Sequence, residues 1–144
     1  MHQDKKKKIL FVCTGNACRS QMAEAWANHL RSHQIDAYSA GSHPAGFVSN
    51  RVIKVMEEAG MDMSKAWSKP IDEWQDVEFD YVITLCDYAV EYCPVFPEPT
   101  RMVHKAFPDP MAIMGDDQMT MDAFRCAREM IKVYVSTLPE ALEK

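Results

Sequence analysis

No apolar stretch in this chain of 144 residues approaches the roughly 20 that a membrane-spanning helix needs. Positive charge is not in excess either. Lys plus Arg is 16 against 21 for Asp plus Glu, a formal charge of −5. That balance is wrong for a protein held mainly by nucleic-acid phosphates, so neither a nucleic acid nor a membrane is expected as a partner. The N-terminus has the lysine run Lys5 to Lys8 but only a short apolar stretch, Ile9 to Val12, and no small-residue cleavage site. An export signal is therefore not expected. Internal repeats and an evident linker are also missing. With 47% apolar and 26% charged residues, a disordered chain, a collagen-like fibre and a charged tail protein are excluded. What is left is one globular domain over residues 1–144.

Against those absences stand five cysteines. The number is odd, and the chain is long enough to build a core without covalent staples. A cytoplasmic protein with reduced thiols is expected. In that compartment, spaced cysteines point more often to catalysis or to a metal than to bridges.

Strand and helix patterns alternate. Lys8 to Val12 reads as a buried strand that ends in the loop Cys13-Thr14-Gly15-Asn16-Ala17-Cys18-Arg19-Ser20. From Ser20 to His33 the apolar residues Met22, Ala23, Trp26, Ala27 and Leu30 recur at helical spacing. Further strands are expected at Ile35 to Ala40, Tyr81 to Leu85 and Met102 to Lys105. A second helix should open at Asn50 and stop at Gly60. One helical turn fits Asp72 to Gln75. A long final helix should run from Asp117 to about Leu138, burying Met121, Phe124, Ala127, Ile131 and Tyr134. The lysine run reads as a solvated approach to the first strand. This is the pattern of a parallel sheet covered on both faces. Ligands of such sheets sit at the carboxyl ends of strands, where Cys13, Cys86 and Asp109 would converge.

Cys13 and Arg19 bracket five residues that include Gly15 and Asn16, after a strand and before a helix. Such a loop can curl so that the N–H groups of Thr14, Gly15, Asn16, Ala17, Cys18 and Arg19 make an anion nest. The helix N-terminus adds positive charge. The Arg19 fork matches a tetrahedral oxyanion. The same field favours the Cys13 thiolate, and Ser20 is placed to hydrogen-bond its sulfur. The plainer alternative, a core cysteine at a strand end, leaves the C-x5-R spacing unexplained. A Walker loop is excluded because no Gly-Lys-Ser/Thr follows.

Cys86 and Cys93 are seven residues apart. On a helix they would lie two turns apart, a rise of about 10.5 Å. A disulfide needs Cα atoms within roughly 7 Å. A Cys86–Cys93 bond would therefore require local refolding. The rival is zinc held by Cys13, Cys18, Cys86 and Cys93, for which the spacings are poor; unrelated buried thiols are a second.

These motifs together resemble the thioredoxin-coupled arsenate reductases built on the low-molecular-weight protein tyrosine phosphatase fold. The resemblance spans nearly the whole chain. Its landmarks are Cys13 to Glu24, Tyr38-Ser39-Ala40-Gly41, Val82 to Cys86, Cys93-Pro94 and Asp109-Pro110. It implies an α/β three-layer sandwich with a four-stranded parallel sheet in the order 2-1-3-4, flanked by helices on both faces. It implies reduction of arsenate, with phosphate or sulfate as binding analogues. Cys13 is then the nucleophile, Arg19 the clamp, Asp109 the general acid, and Cys86 and Cys93 a disulfide relay. Thioredoxin or a similar dithiol protein is the external reductant. No tightly bound cofactor or metal is implied, and a monomer is expected. Cys18 and Cys126 have no redox role in the resemblance.

Relatives with a potassium site use positions matching Asn16, Glu24 and Ser39 plus an aspartate where this chain has Lys69. The Lys69 ammonium is expected to substitute for the ion and pair with Glu24. Pro108 replaces a second acid that relatives often carry before the catalytic one. Two alternatives remain. A tyrosine phosphatase would usually have Pro at Gln21 and aromatic residues near Met111. A non-catalytic oxyanion or redox sensor would not need the full nucleophile and acid set.

Overall fold

Four consecutive residues, Ile9, Leu10, Phe11 and Val12, are wholly removed from solvent. Successive side chains of a strand point to opposite faces, so this strand is covered on both. It is β1 (Lys7–Cys13). The computed structural model describes residues 6–143, apart from the side chains of Tyr88 and Val90. β2 (Ile35–Gly41), β3 (Tyr81–Thr84) and β4 (Arg101–His104) complete a sheet of order β2-β1-β3-β4. All three pairings are parallel. The expected strand order is the observed one. The chain leaves β1 in one direction to reach β2 and in the other to reach β3. The carboxyl end of β1 is thus the switch point where such sheets bind ligands.

Four helices pack around the sheet: α1 (Arg19–Leu30), α2 (Asn50–Glu58), α3 (Asp87–Tyr92) and α4 (Asp117–Val135). α1 lies against β2 and α4, α4 also meets α2, and α3 touches β1 and β3. α2 stops as expected at Gly60, whose φ of 84° suits glycine. The N–H of Met61 reaches the Met56 carbonyl at 2.9 Å and that of Gly60 reaches Glu57 at 2.9 Å, a Schellman ending. α4 is capped by Asp116, whose carboxylate accepts the Met119 N–H at 2.8 Å. The expected helical turn is a 3-10 turn at Ile71–Trp74.

Several boundaries differ from expectation. α1 ends at Leu30 rather than His33, because Arg31 leaves helical geometry. The Arg31 side chain is bound to the Leu138 carbonyl at 2.7 Å and to Glu140 at 2.6 Å. α4 stops at Val135, and Val135 rather than Tyr134 completes its buried face; Tyr134 and Met121 are only partly buried. Leu30 is exposed, not core. β1 begins at Lys7, so the lysine run is partly strand, and Lys6 pairs with Asp36 at 3.6 Å; Lys5 lies outside the described residues. β4 is a mostly exposed edge strand. Among the described residues no helix is long and apolar enough to cross a membrane.

Candidate active site

The loop that leaves β1 is shaped by where its carbonyls go. The Cys13 carbonyl accepts the Ser42 N–H at 3.3 Å, Thr14 accepts His43 at 2.8 Å, and Gly15 accepts Ala45 at 2.9 Å. The Asn16 carbonyl accepts from the Gln21 side chain at 3.1 Å, and Ala17 accepts the Ser49 N–H at 2.9 Å. Across a trans peptide the C=O and N–H point to opposite sides. With five carbonyls bonded outward, the N–H groups of Thr14, Gly15, Asn16, Ala17 and Cys18 turn inward. These are five of the six N–H groups read from the sequence as a nest, the sixth being that of Arg19.

Asn16 makes the turn possible. Its φ of 47° is left-handed, a region asparagine tolerates better than most residues. Its side chain is fully buried and satisfied. Oδ1 accepts the Lys69 N–H at 2.9 Å and Gln21 Nε2 at 3.0 Å. Nδ2 donates to Ser20 Oγ at 2.7 Å. Ser20 Oγ in turn lies 2.9 Å from Cys13 Sγ, so its own hydrogen is left to donate to a thiolate there.

Arg19 closes the mouth of the loop. Nη1 donates to the Phe107 carbonyl at 2.9 Å, and Nη2 lies 3.8 Å from Asp109 Oδ2. Arg19 Nε is buried without a hydrogen-bond partner. A buried orphan donor is costly, and one beside an inward-facing nest fits a tetrahedral oxyanion. Asp109 is half-exposed; its Oδ1 accepts the Met111 N–H at 2.9 Å, leaving Oδ2 toward the loop. The expected acid and clamp are therefore together.

Cys86 follows β3 and is buried, with Sγ 3.3 Å from Thr14 Oγ1. Cys93 caps the other end of α3. The segment between them is helical, and all five thiols are free. Burial pushes the Cys93 thiol up to about 11. Burial, with Cys13 adding to it, also pushes the Cys18 thiol far up, which suits a bystander. Cys126 is exposed on α4, with Sγ 3.8 Å from Met130 Sδ. Among the described residues no three His, Cys, Asp or Glu gather to hold a metal.

Glu24, Ser39 and Lys69 do meet behind the loop. Ser39 Oγ donates to Glu24 Oε1 at 2.5 Å, and Lys69 Nζ is 3.8 Å from the same oxygen. Lys69 Nζ also donates to the Trp67 carbonyl at 2.8 Å. Burial lowers the Lys69 pKa, with Glu24 opposing the shift.

Three positions were not anticipated from the sequence. A Cβ on Gly41 would stand 2.7 Å from the Thr14 carbonyl oxygen and 3.0 Å from the Asn16 nitrogen, so the loop can pass only over a glycine. Gln21 ties the loop to the Trp67 carbonyl at 2.8 Å. Ser68 Oγ donates to the Gly15 carbonyl at 2.9 Å. The nearest signal was Gly41 ending a strand beside an anion loop.

This geometry defines a cysteine-based oxyanion enzyme. The model of the low molecular weight phosphotyrosine protein phosphatase family matches residues 8–144, and the chain belongs to that family. Within it the chain is similar to the arsenate reductase of Halalkalibacterium halodurans, with 40% identity over 94% of this chain and 96% of that protein. Among solved structures, it resembles a thioredoxin-dependent arsenate reductase from Corynebacterium glutamicum. That match has a TM-score of 0.70 and 27% identity, covering 96% of this chain and 62% of the other. The YwlE arginine phosphatase of Geobacillus stearothermophilus gives a TM-score of 0.74 at 25% identity, covering 95% and 93% of the two chains.

Two outcomes follow from the geometry. Over-packing costs about 1–3 kcal/mol of strain; taken up by the loop, it should make Gly41→Ala weaken sulfate or phosphate binding about tenfold, while the protein stays folded. Titration calorimetry with a thermal melt reads both, and unchanged affinity would show that the close approach does not shape the loop. Cys93, raised from 9.0 to about 11, should react with iodoacetamide at pH 8 about 100-fold more slowly than a solvent-exposed thiol. Its rate should climb with pH until about 11. Peptide mass mapping, with Cys126 as the exposed reference, checks this; comparable rates at pH 8 would contradict it.

Proposed function

We propose that this protein reduces arsenate to arsenite with three cysteines used in turn. The carrying observation is a second thiol, Cys86, hydrogen-bonded to the anion loop itself through Thr14. Hydrolysis of a phosphate ester has no use for it. The Cys13 thiolate attacks arsenic while Arg19 and the nest hold the oxyanion, and Asp109 protonates the departing oxygen, which leaves as water. Cys86 then attacks the Cys13 sulfur. The S–S bond forms, the S–As bond breaks, and its electron pair stays on arsenic, which leaves as arsenite. Cys93 attacks Cys86 and releases Cys13 as a thiolate. A dithiol protein of the thioredoxin kind returns the Cys86–Cys93 disulfide to thiols. The arsenate reductases among the relatives support this reading, and the thioredoxin dependence of the Corynebacterium protein supports the reductant. A cytoplasmic monomer without a bound cofactor belongs to the same reading.

The last exchange requires α3 to open. Along a helix the two cysteines are about 10.5 Å apart, beyond the roughly 7 Å of a disulfide. Phosphatase activity is the second reading. The complete set of Cys13, Arg19 and Asp109 favours it as a side activity, as does the likeness to an arginine phosphatase.

The deciding assay supplies arsenate, thioredoxin, thioredoxin reductase and NADPH. Wild type should oxidise NADPH continuously, and Cys93→Ser should stop after one turnover. Equal hydrolysis of para-nitrophenyl phosphate by both, with no arsenate turnover, would favour the phosphatase. In this reading the buried Lys69 ammonium beside Glu24 takes the place of a potassium ion. Replacing Na⁺ by K⁺ should then leave the arsenate rate unchanged, and a clear increase would sink the substitution.

A further inference from the structure

Cys86 must stay at the loop while the segment after it changes shape. One side chain from the edge strand holds the residues on both sides of it. His104, the last residue of β4, lies with Nδ1 2.8 Å from Thr84 Oγ1 and Nε2 2.9 Å from Asp87 Oδ1. Thr84 ends β3, and Asp87 opens α3; Cys86 lies between them. An ionised carboxylate only accepts, so Nε2 donates to Asp87, and the other nitrogen of a neutral ring accepts the Thr84 hydroxyl. The imidazole therefore bridges the short segment that carries the thiol.

Two features separate this from simple satisfaction of a buried group. The Thr84 hydroxyl also lies 3.4 Å from the Val103 carbonyl, so it has an acceptor without the ring. The Asp87 side chain is 92% exposed, so water would satisfy it equally well. The bridge joins a rigid point in the sheet to the first residue of a six-residue helix.

We propose that His104 is a positioning residue for Cys86, clamping Thr84 to Asp87 so that the thiol faces Cys13 before and during attack. The proposal rests on the relay described above. With Asp87 held to the sheet, α3 opens from its Cys93 end, and Cys93 travels while Cys86 stays.

The test uses Cys93→Ser, which halts chemistry at the Cys13–Cys86 disulfide, with and without His104→Ala. One arm follows disulfide formation after arsenate by mass spectrometry. The other measures the equilibrium of the same disulfide with glutathione, in which oxidised glutathione takes two electrons and leaves two thiols. Each should fall about five- to tenfold, the worth of a hydrogen bond, while sulfate affinity by calorimetry is unchanged. Asp87→Asn, which keeps an accepting oxygen, should match the parent, and Asp87→Ala should match His104→Ala. The exposed Asp87→Ala also decides the matter should His104→Ala fail to fold. An unchanged glutathione equilibrium overturns the proposal, and so does an equal loss of sulfate binding. Failure of arsenate to form any disulfide in the parent would instead remove the reductase reading, with the glutathione arm still deciding the role of His104.

Discussion

The outward hydrogen bonds of the loop carbonyls are the constraint on which the rest of the site depends. An N–H group can face an anion only when the carbonyl across the same peptide faces away, and a carbonyl turned into protein needs its own donor. The chain meets that demand with Ser42, His43, Ala45 and Ser49, which run beside the loop as a strip of backbone donors. This strip is the exit from β2, which explains why Gly41, at its start, has no room for a side chain. Where the strip does not reach, Gln21 supplies the donor to Asn16. A network of this kind is effective only when complete, since a half-satisfied buried polar group costs more than an apolar one.

The same end of the molecule stores three thiols in different surroundings. Cys13 faces a hydroxyl whose hydrogen is free for it, because Asn16 already donates to that oxygen. Cys86 shares a contact with the loop. Cys93 is buried at the far end of α3 and kept protonated by that burial. In the proposed relay this inequality sets the order of events. The last thiol cannot compete for the first disulfide while α3 is intact, because it is both distant and neutral. Opening the helix removes both restrictions together.

Much of this was legible in the sequence because it is local. The C-x5-R spacing after an apolar run predicts a strand, a curled loop and a helix start, and β1, the nest and α1 follow. Gly60 predicts the end of α2 because a left-handed residue is required there. Cys86 and Cys93 flank a six-residue helix, one at each cap, rather than lying on it. What could not be read depends on distant partners. Nothing near Leu30 ends α1; Arg31 leaves the helix to bind Leu138 and Glu140, more than a hundred residues on. The exclusion of a Cβ at Gly41 comes from Thr14 and Asn16, far back in the chain, and the Gln21 bonds to Asn16 and Trp67 give a departure from phosphatases a positive role. Tyr134 and Val135 are both apolar and adjacent, and only the packing of α4 against the rest decides which one is buried.

Lys69 shows how a charge can be held inside such a framework. Its side chain is 3% exposed, and removing an ammonium from water is expensive. Glu24 offsets part of that cost, and the Trp67 carbonyl accepts a hydrogen bond from the ammonium. The backbone of the same residue is just as occupied: its N–H goes to Asn16 Oδ1 and its carbonyl accepts the Gly41 N–H at 2.8 Å. Lys69 therefore touches the two residues that the loop can least replace, one left-handed and one without a Cβ. A buried ion pair is a weak source of stability, but it is specific about geometry. In the proposed reading, an ammonium carried by the chain supplies the cation behind the loop without drawing one from solvent. The position of Lys69 is set by the same backbone bonds that hold the loop, so the loop and the Lys69–Glu24 pair are one construction.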